Sequence, residues 1–232
     1  MSTSPAPTFK LGVMAKYWTP GAVKTRLGES VGMHVAAQLH RVFCLHLART
    51  LDGFAAEQSF VVTPQEHETD FAQAIGSWKT ERQADGDLGQ RMRAWFSAEP
   101  VAARRHRVLI GADCPLVSPQ ILAEVERLLG QHDIVFGPAR DGGYYLIGLR
   151  SPWREAYQTL MTDIPWSSER VLELSCERAA AAGLSVGKLS EMEDVDTIAE
   201  LTRLREQLAA SDEIPHVQLR AEIESVLAEE AS

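Results

Sequence analysis

Short apolar runs alternate with amphipathic helical stretches along almost the whole of this 232-residue chain, and that alternation restricts the fold more than any other feature. Residues 9–15, 59–63, 78–83, 108–110, 134–136, 144–149 and 184–189 read as strands. Between them, 33–51 reads as a helix with Val35, Leu39, Val42, Leu45 and Leu47 on or near one face. Pro64 opens a further helix, and 88–103 reads as another. Ser118 and Pro119 form a cap and first helical residue for a helix running to Leu129. Residues 167–182 read as a helix ended by Gly183, with Ser167 or Ser168 as its cap, and Thr197 begins one more.

Such alternation with short connections implies a mostly parallel sheet covered by helices on both faces. Segments 134–136 and 144–149 are too close for a parallel crossover, which needs about a dozen residues. One of that pair is therefore antiparallel or serves a different sheet edge. The fold class is α/β with a three-layer α/β/α arrangement. The expected division is a loose tail over 1–8, a catalytic domain over 9–209 and a C-terminal helical extension over 210–232, which packs on its own domain or on a second copy.

Composition excludes several classes of function. A formal charge of -9 gives no support to a nucleic-acid partner. No apolar run approaches the ~20 residues that cross a membrane. The first seven residues carry neither the basic start nor the apolar core of a signal peptide. Cys44, Cys114 and Cys176 are odd in number and lack metal-ligand spacing, which suits buried thiols in a reducing cytoplasm.

Against the acidic background, the loop leaving the first strand is locally basic, with Lys16, Lys24 and Arg26 around the turn at Pro20 and Gly21. Ligands of open α/β sheets bind outside the carboxyl ends of strands, where this loop lies. Its cations and free backbone N–H groups, from Ala15 to Thr25, suit a polyphosphate.

Two acidic segments face the same crevice. Asp113 follows the strand 108–110 directly, beyond Gly111 and Ala112. A carboxylate beside phosphates calls for a bridging divalent cation, Mg²⁺ or Mn²⁺. Asp194 and Asp196 follow the last strand and share one side of an extended segment. The plain structural alternative has Asp196 or Thr197 capping the next helix.

Two glycine-bearing loops complete the set. In 84–89, Asp87 is a helix cap, or Asp85, Asp87 and Gly89 border a ligand whose base or ribose approaches the backbone closely. In 136–145, Asp141, Gly142 and Gly143 precede Tyr144, which makes either a simple hairpin turn or a tight passage beside a ligand. Trp166 and Ser167 belong either to the core and a helix start or to the wall of an acceptor pocket.

The ordered series Gly-Ala-Val-Lys-Thr-Arg-Leu from Gly21, Asp-Gly-Asp-Leu-Gly from Asp85, Gly-Ala-Asp-Cys-Pro from Gly111, Asp-Gly-Gly-Tyr-Tyr from Asp141, Ile-Pro-Trp-Ser from Ile164 and Asp-Val-Asp-Thr from Asp194 resembles one bacterial family. That family is the GT-A-like nucleotide-diphospho-sugar transferases, also labelled arsenosugar-biosynthesis glycosyltransferases. The first loop also resembles 2-phospholactate guanylyltransferase and, more remotely, molybdenum-cofactor guanylyltransferase. The resemblance spans roughly residues 9–205 and implies a Rossmann-like GT-A fold that binds a nucleotide or nucleotide sugar with a metal ion. By position it implies phosphate contacts from Lys16, Lys24 and Arg26, and metal contacts from Asp113 and Asp196. One departure is that a single Asp113 stands where many glycosyltransferases of this fold carry Asp-x-Asp, which moves the chain toward nucleotidyltransferases.

Three functions compete. The first is sugar transfer to a small acceptor, with Asp141 as base and Lys24 and Arg26 supporting the leaving diphosphate. The second is nucleotidyl transfer with release of pyrophosphate, and the third is nucleotide binding without turnover. A monomer or homodimer is compatible with any of them.

Overall fold

The computed structural model describes residues 8–98 and 105–229. Most of the expected tail, the end of the expected helix 88–103 and the last three residues lie outside the described residues.

Seven strands form one sheet: β1 (Phe9–Lys16), β2 (Glu57–Thr63), β3 (Lys79–Arg82), β4 (His106–Gly111), β5 (Ile134–Pro138), β6 (Tyr144–Leu149) and β7 (Val186–Lys188). Their order across the sheet is β3-β2-β1-β4-β6-β5-β7. All pairings are parallel except those of β6, which runs antiparallel to both β4 and β5. The expected reversal therefore falls on β6, because the turn after Pro138 is too short for a crossover.

Period-two alternation fills both faces. Phe60 and Val62 point to one side and Val61 to the other, and Val108 and Ile110 are likewise separated from Leu109. On the first face, β1 packs through Phe9, Leu11 and Val13 against α2 (Met33–Thr50), α3 (Glu68–Ile75) and α5 (Pro119–Leu129). The second face is covered by α4 (Leu88–Ser97), α6 (Val171–Ala181) and a 3₁₀ turn carrying Tyr157 and Leu160. These are the three expected layers.

A third cluster joins the outer side of α2 to three further helices: α1 (Thr25–Val31), α7 (Ile198–Ala209) and α8 (Ile214–Glu229). Leu219 and Ile223 of α8 are fully buried there, so the C-terminal extension packs on its own domain. Arg49–Glu222 and Arg205–Glu224 pairs border the contact.

Several boundaries differ from the sequence reading. The first loop holds the short helix α1, and β7 is only three residues long. The helix expected from Ser167 starts at Val171, with Arg170 as its cap residue. Ser167 sits at φ +68, a left-handed conformation that no helix can include. A 3₁₀ turn at Gln65–His67 separates Pro64 from α3.

His46, on α2 and 3% exposed, has its pKa lowered to about 4, by burial first and then by the charges of Arg49 and His216. A buried base with a lowered pKa stabilises the fold only while it stays neutral, so stability rises as pH climbs from about 4 to 6.5 and then levels. Urea unfolding at pH 5 and pH 7 is expected to show a loss at the acid end on the order of 2 kcal/mol from this residue. The loss shrinks in His46→Gln; an equal loss in that variant rules His46 out as its source.

Candidate functional site

Strands β1 and β4 run parallel side by side, so the loop after Lys16 and the segment after Gly111 leave the same end of the sheet. The acidic segment after β7 reaches that end through backbone hydrogen bonds, with ion pairs from Arg140 to Glu191 and Glu193 beside them. Met192 N–H donates to the Pro138 carbonyl, Arg140 N–H to Met192, and Val195 N–H to the Asp113 carbonyl at 3.0 Å. The last of these bonds sews the two acidic segments together. Thr197 caps α7, while Glu200 accepts from the N–H groups of Asp196 and Thr197, so the Asp196 carboxylate is left for the cleft.

Lys24 lies between the two carboxylates. Its Nζ is ion-paired with Asp113 Oδ1 and, at 2.8 Å, with Asp196 Oδ1. The Lys24 side chain is 2% exposed, against 47% and 35% for the two aspartates. Burial alone would lower the ammonium pKa, but the two carboxylates outweigh it and hold Lys24 above the usual lysine range. Asp113 is correspondingly held below the ordinary carboxylate range: burial would raise it, but the charge and hydrogen bond of Lys24, with His40 and Lys16, together outweigh that. Lys24 itself has φ 48 and ψ 40, a left-handed backbone that costs a β-carbon-bearing residue about 1 kcal/mol. The turn that aims this side chain into the cleft is thus held at a cost.

Behind the pair stands His40 of α2, 4% exposed. Its Nε2 is 3.0 Å from the Lys16 carbonyl oxygen. A carbonyl only accepts, so Nε2 carries the hydrogen and Nδ1 presents a lone pair when the ring is neutral. Burial keeps the imidazole below its usual range, despite Asp113. Nδ1 has no hydrogen-bond partner and lies 3.8 Å from Asp113 Oδ1.

These groups line a cleft of about 540 Å³. Of the residues singled out from sequence, Ala15, Lys16, Lys24, Thr25, Arg26, Gly111, Asp113, Asp141, Gly143, Tyr144, Trp166, Ser167 and Asp196 form its wall. Lys16, Thr25 and Arg26 are exposed on it, whereas Lys24 is turned inward. Asp194 also lines the cleft, and its pKa is pushed up to about 6, by burial first and then by Asp196 and Asp141. Asp141 accepts a hydrogen bond from Gly143 N–H at 2.8 Å and remains exposed.

Gly21, Asp85, Asp87, Gly89 and Gly142 are not part of the cleft wall. Asp87 is the cap of α4, accepting from Gln90 N–H at 2.8 Å while Gln90 returns the bond. Asp85 is exposed beside Arg82. Gly89 is buried and packs the 160s loop: an added β-carbon would lie 2.1 Å from the Met161 carbonyl oxygen and 2.8 Å from Trp166. Gly142, at φ +87, lets the 141–143 turn lie against Glu169, whose carbonyl oxygen would be 2.0 Å from a β-carbon.

His40, Gln83 and Arg91 are cleft residues that sequence reasoning left unassigned. Gln83 donates to the Ala15 and Val61 carbonyls and faces Arg91 through its amide oxygen. The far wall is apolar and aromatic, with Leu88, Met92, Ile147, Tyr144 and Trp166.

Two partly exposed carboxylates around one cation thus sit at the carboxyl ends of a mostly parallel sheet in an α/β protein. The chain belongs to the bacterial family DUF2064, described as "Uncharacterized protein conserved in bacteria", whose sequence profile matches residues 46–168, more than half the chain. It is 29% identical to a Desulfovibrio desulfuricans G20 protein provisionally described as a nucleotide-diphospho-sugar transferase, with a TM-score of 0.83 over 96% of this chain and 98% of that one. CMP:2-keto-3-deoxy-manno-octonic acid synthetase, solved with CTP, shares the fold at 14% identity and TM-score 0.52, over 87% and 98% of the two chains. The inositol-1-phosphate CTP transferase of T. maritima does so at 13% identity and TM-score 0.53, over 95% and 98%. No curated protein sequence matched the chain. Among the described residues, no helix is long and apolar enough to cross a membrane.

Proposed function

We propose that this chain transfers a sugar from a nucleotide-diphosphate sugar to a small acceptor. The observation that carries the reading is the continuity of one cleft. Its floor holds cations and carboxylates suited to a diphosphate, and it runs on to a wall of Tyr144, Trp166, Met92 and Leu88 suited to a sugar and an apolar acceptor face. The 29%-identical relative, matched over nearly its whole length, points the same way.

The donor set formed by Asp113 and Asp196 fits a hard divalent cation, because two carboxylate oxygens already converge on one positive charge. Mg²⁺ or Mn²⁺ held by that pair would neutralise charge on the leaving diphosphate. Lys16, Thr25 and Arg26 bind its phosphate oxygens from the exposed wall. An acceptor hydroxyl attacks the anomeric carbon as the bond to the diphosphate breaks. Its proton passes to Asp141 at the rim, and the nucleoside diphosphate leaves.

Nucleotidyl transfer is the second reading, favoured by the single Asp113 paired with Asp196 and by the fold shared with CTP-using enzymes. Thermal-shift measurements with nucleoside triphosphates, diphosphates and nucleotide sugars, with and without Mn²⁺, compare the two readings directly. The largest metal-dependent rise is expected with a nucleotide sugar, and incubation with acceptor is expected to yield free nucleoside diphosphate. Pyrophosphate release from a triphosphate would overturn sugar transfer in favour of the second reading.

A further inference from the structure

The cleft floor holds more acceptors than its one buried cation needs. Asp113 and Asp196 both pair with Lys24 Nζ, and the lone pair of His40 Nδ1 faces Asp113 without a partner of its own. Lys24 differs from its neighbours on the first loop. Lys16 and Arg26 stand exposed along the wall, while Lys24 is folded inward into the space that a bridging cation needs.

We infer that Lys24 is a displaceable internal counter-ion: a divalent cation and the Lys24 ammonium compete for the Asp113–Asp196 pair, and the arriving cation sends Lys24 outward to the donor's phosphates. The inference rests on reading that pair as the cation site. Three features support it. Two cations cannot share so small a space, because like charges a few ångströms apart repel strongly away from bulk water. The His40 lone pair is buried without a partner beside two like-charged carboxylates, so Lys24 leaves this place when another cation takes it. A lysine is a compact charge on a flexible four-carbon stem, able to exchange a carboxylate for a phosphate without backbone movement.

The consequence is coupling. Metal binding frees a phosphate ligand, and phosphate binding, by taking Lys24 away, opens the carboxylate pair to metal. Linkage makes the two effects equal. Without nucleotide the cleft is neutralised by its own lysine, and metal affinity is low.

The test is Mn²⁺ binding in the absence of nucleotide, followed by electron paramagnetic resonance, for wild type, Lys24→Met and Asp113→Asn. Lys24→Met is expected to bind Mn²⁺ at least tenfold more tightly than wild type, and Asp113→Asn at least tenfold more weakly. A second measurement needs no variant. Acylation of wild-type lysines read by mass spectrometry is expected to miss Lys24 without metal and to modify it once Mn²⁺ is bound. This footprint decides the matter if Lys24→Met does not fold. Unchanged or weaker Mn²⁺ affinity in Lys24→Met, with Lys24 still protected in the Mn²⁺-loaded wild type, overturns the exchange. If Asp113→Asn nevertheless loses the metal, the cation-pair reading itself survives. Wild-type Mn²⁺ affinity in Asp113→Asn overturns both.

Discussion

Asp113→Asn is expected to lower kcat/KM for donor turnover on the order of 10²–10³-fold, the cost of removing one group that stabilises transition-state charge. The change keeps shape and removes charge, so the fold should survive. Far-ultraviolet circular dichroism and the unfolding midpoint check that the loss is chemical. Asp196→Asn should fall in the same range, because both carboxylates meet the same cation. Asp85→Asn is the contrasting control: Asp85 is exposed, faces Arg82 and lies off the cleft wall, so its loss should leave kcat/KM within about twofold, consistent with the small worth of surface ion pairs. Equal rates for Asp113→Asn and wild type would remove Asp113 from the chemistry.

Gly89→Ala is expected to destabilise the protein although it adds only one methyl group. The added β-carbon would meet the Met161 carbonyl oxygen at 2.1 Å, and a carbonyl cannot rotate away as a side-chain end can. Overpacking of this kind costs about 1–3 kcal/mol. The displaced segment carries Trp166, so the far wall of the cleft moves with it. Denaturant unfolding should show the loss of stability, and the acceptor KM should rise more than the donor KM. A stability matching wild type would mean that the 160s loop yields without cost.

Much of the fold was legible because burial on both faces forces apolar residues into adjacent positions. Val61 beside Phe60 and Val62 reads as a strand whatever surrounds it. The reversal of β6 followed from a loop too short to cross over. Ser167 misled because a serine pair before a helix reads as a cap, whereas its backbone is left-handed and the helix begins four residues later. Helix α1 escaped notice for another reason. Its seven residues are too few to show a helical period, and its Leu27 is buried by the C-terminal cluster.

The same distinction runs through the site. Asp113, Asp196 and the basic loop were readable from charge at strand ends. That Lys24 is buried was not, because its partner Asp196 lies 172 residues away and is placed by main-chain bonds to distant parts of the chain and by Glu193 ion pairs. His40 looked like any residue on a buried helix face. Asp87 carried a signal for capping, the role the structure gives it, whereas Gly89, read as a place where a base or ribose approaches, packs against the 160s loop instead.

The antiparallel course of β6 divides the rim of the cleft into two kinds of construction. On one side, the segments after β1 and β4 each lead on toward helices, so a change in length there would disturb the layer beyond. On the other side, residues 139–143 form a turn between β5 and β6, closed by a ladder of its own. Such a turn can grow or shrink while the register of both strands is preserved. Under the proposed function, one bank of the cleft would meet the acceptor and the other the phosphates, so the acceptor bank can change length independently of the other.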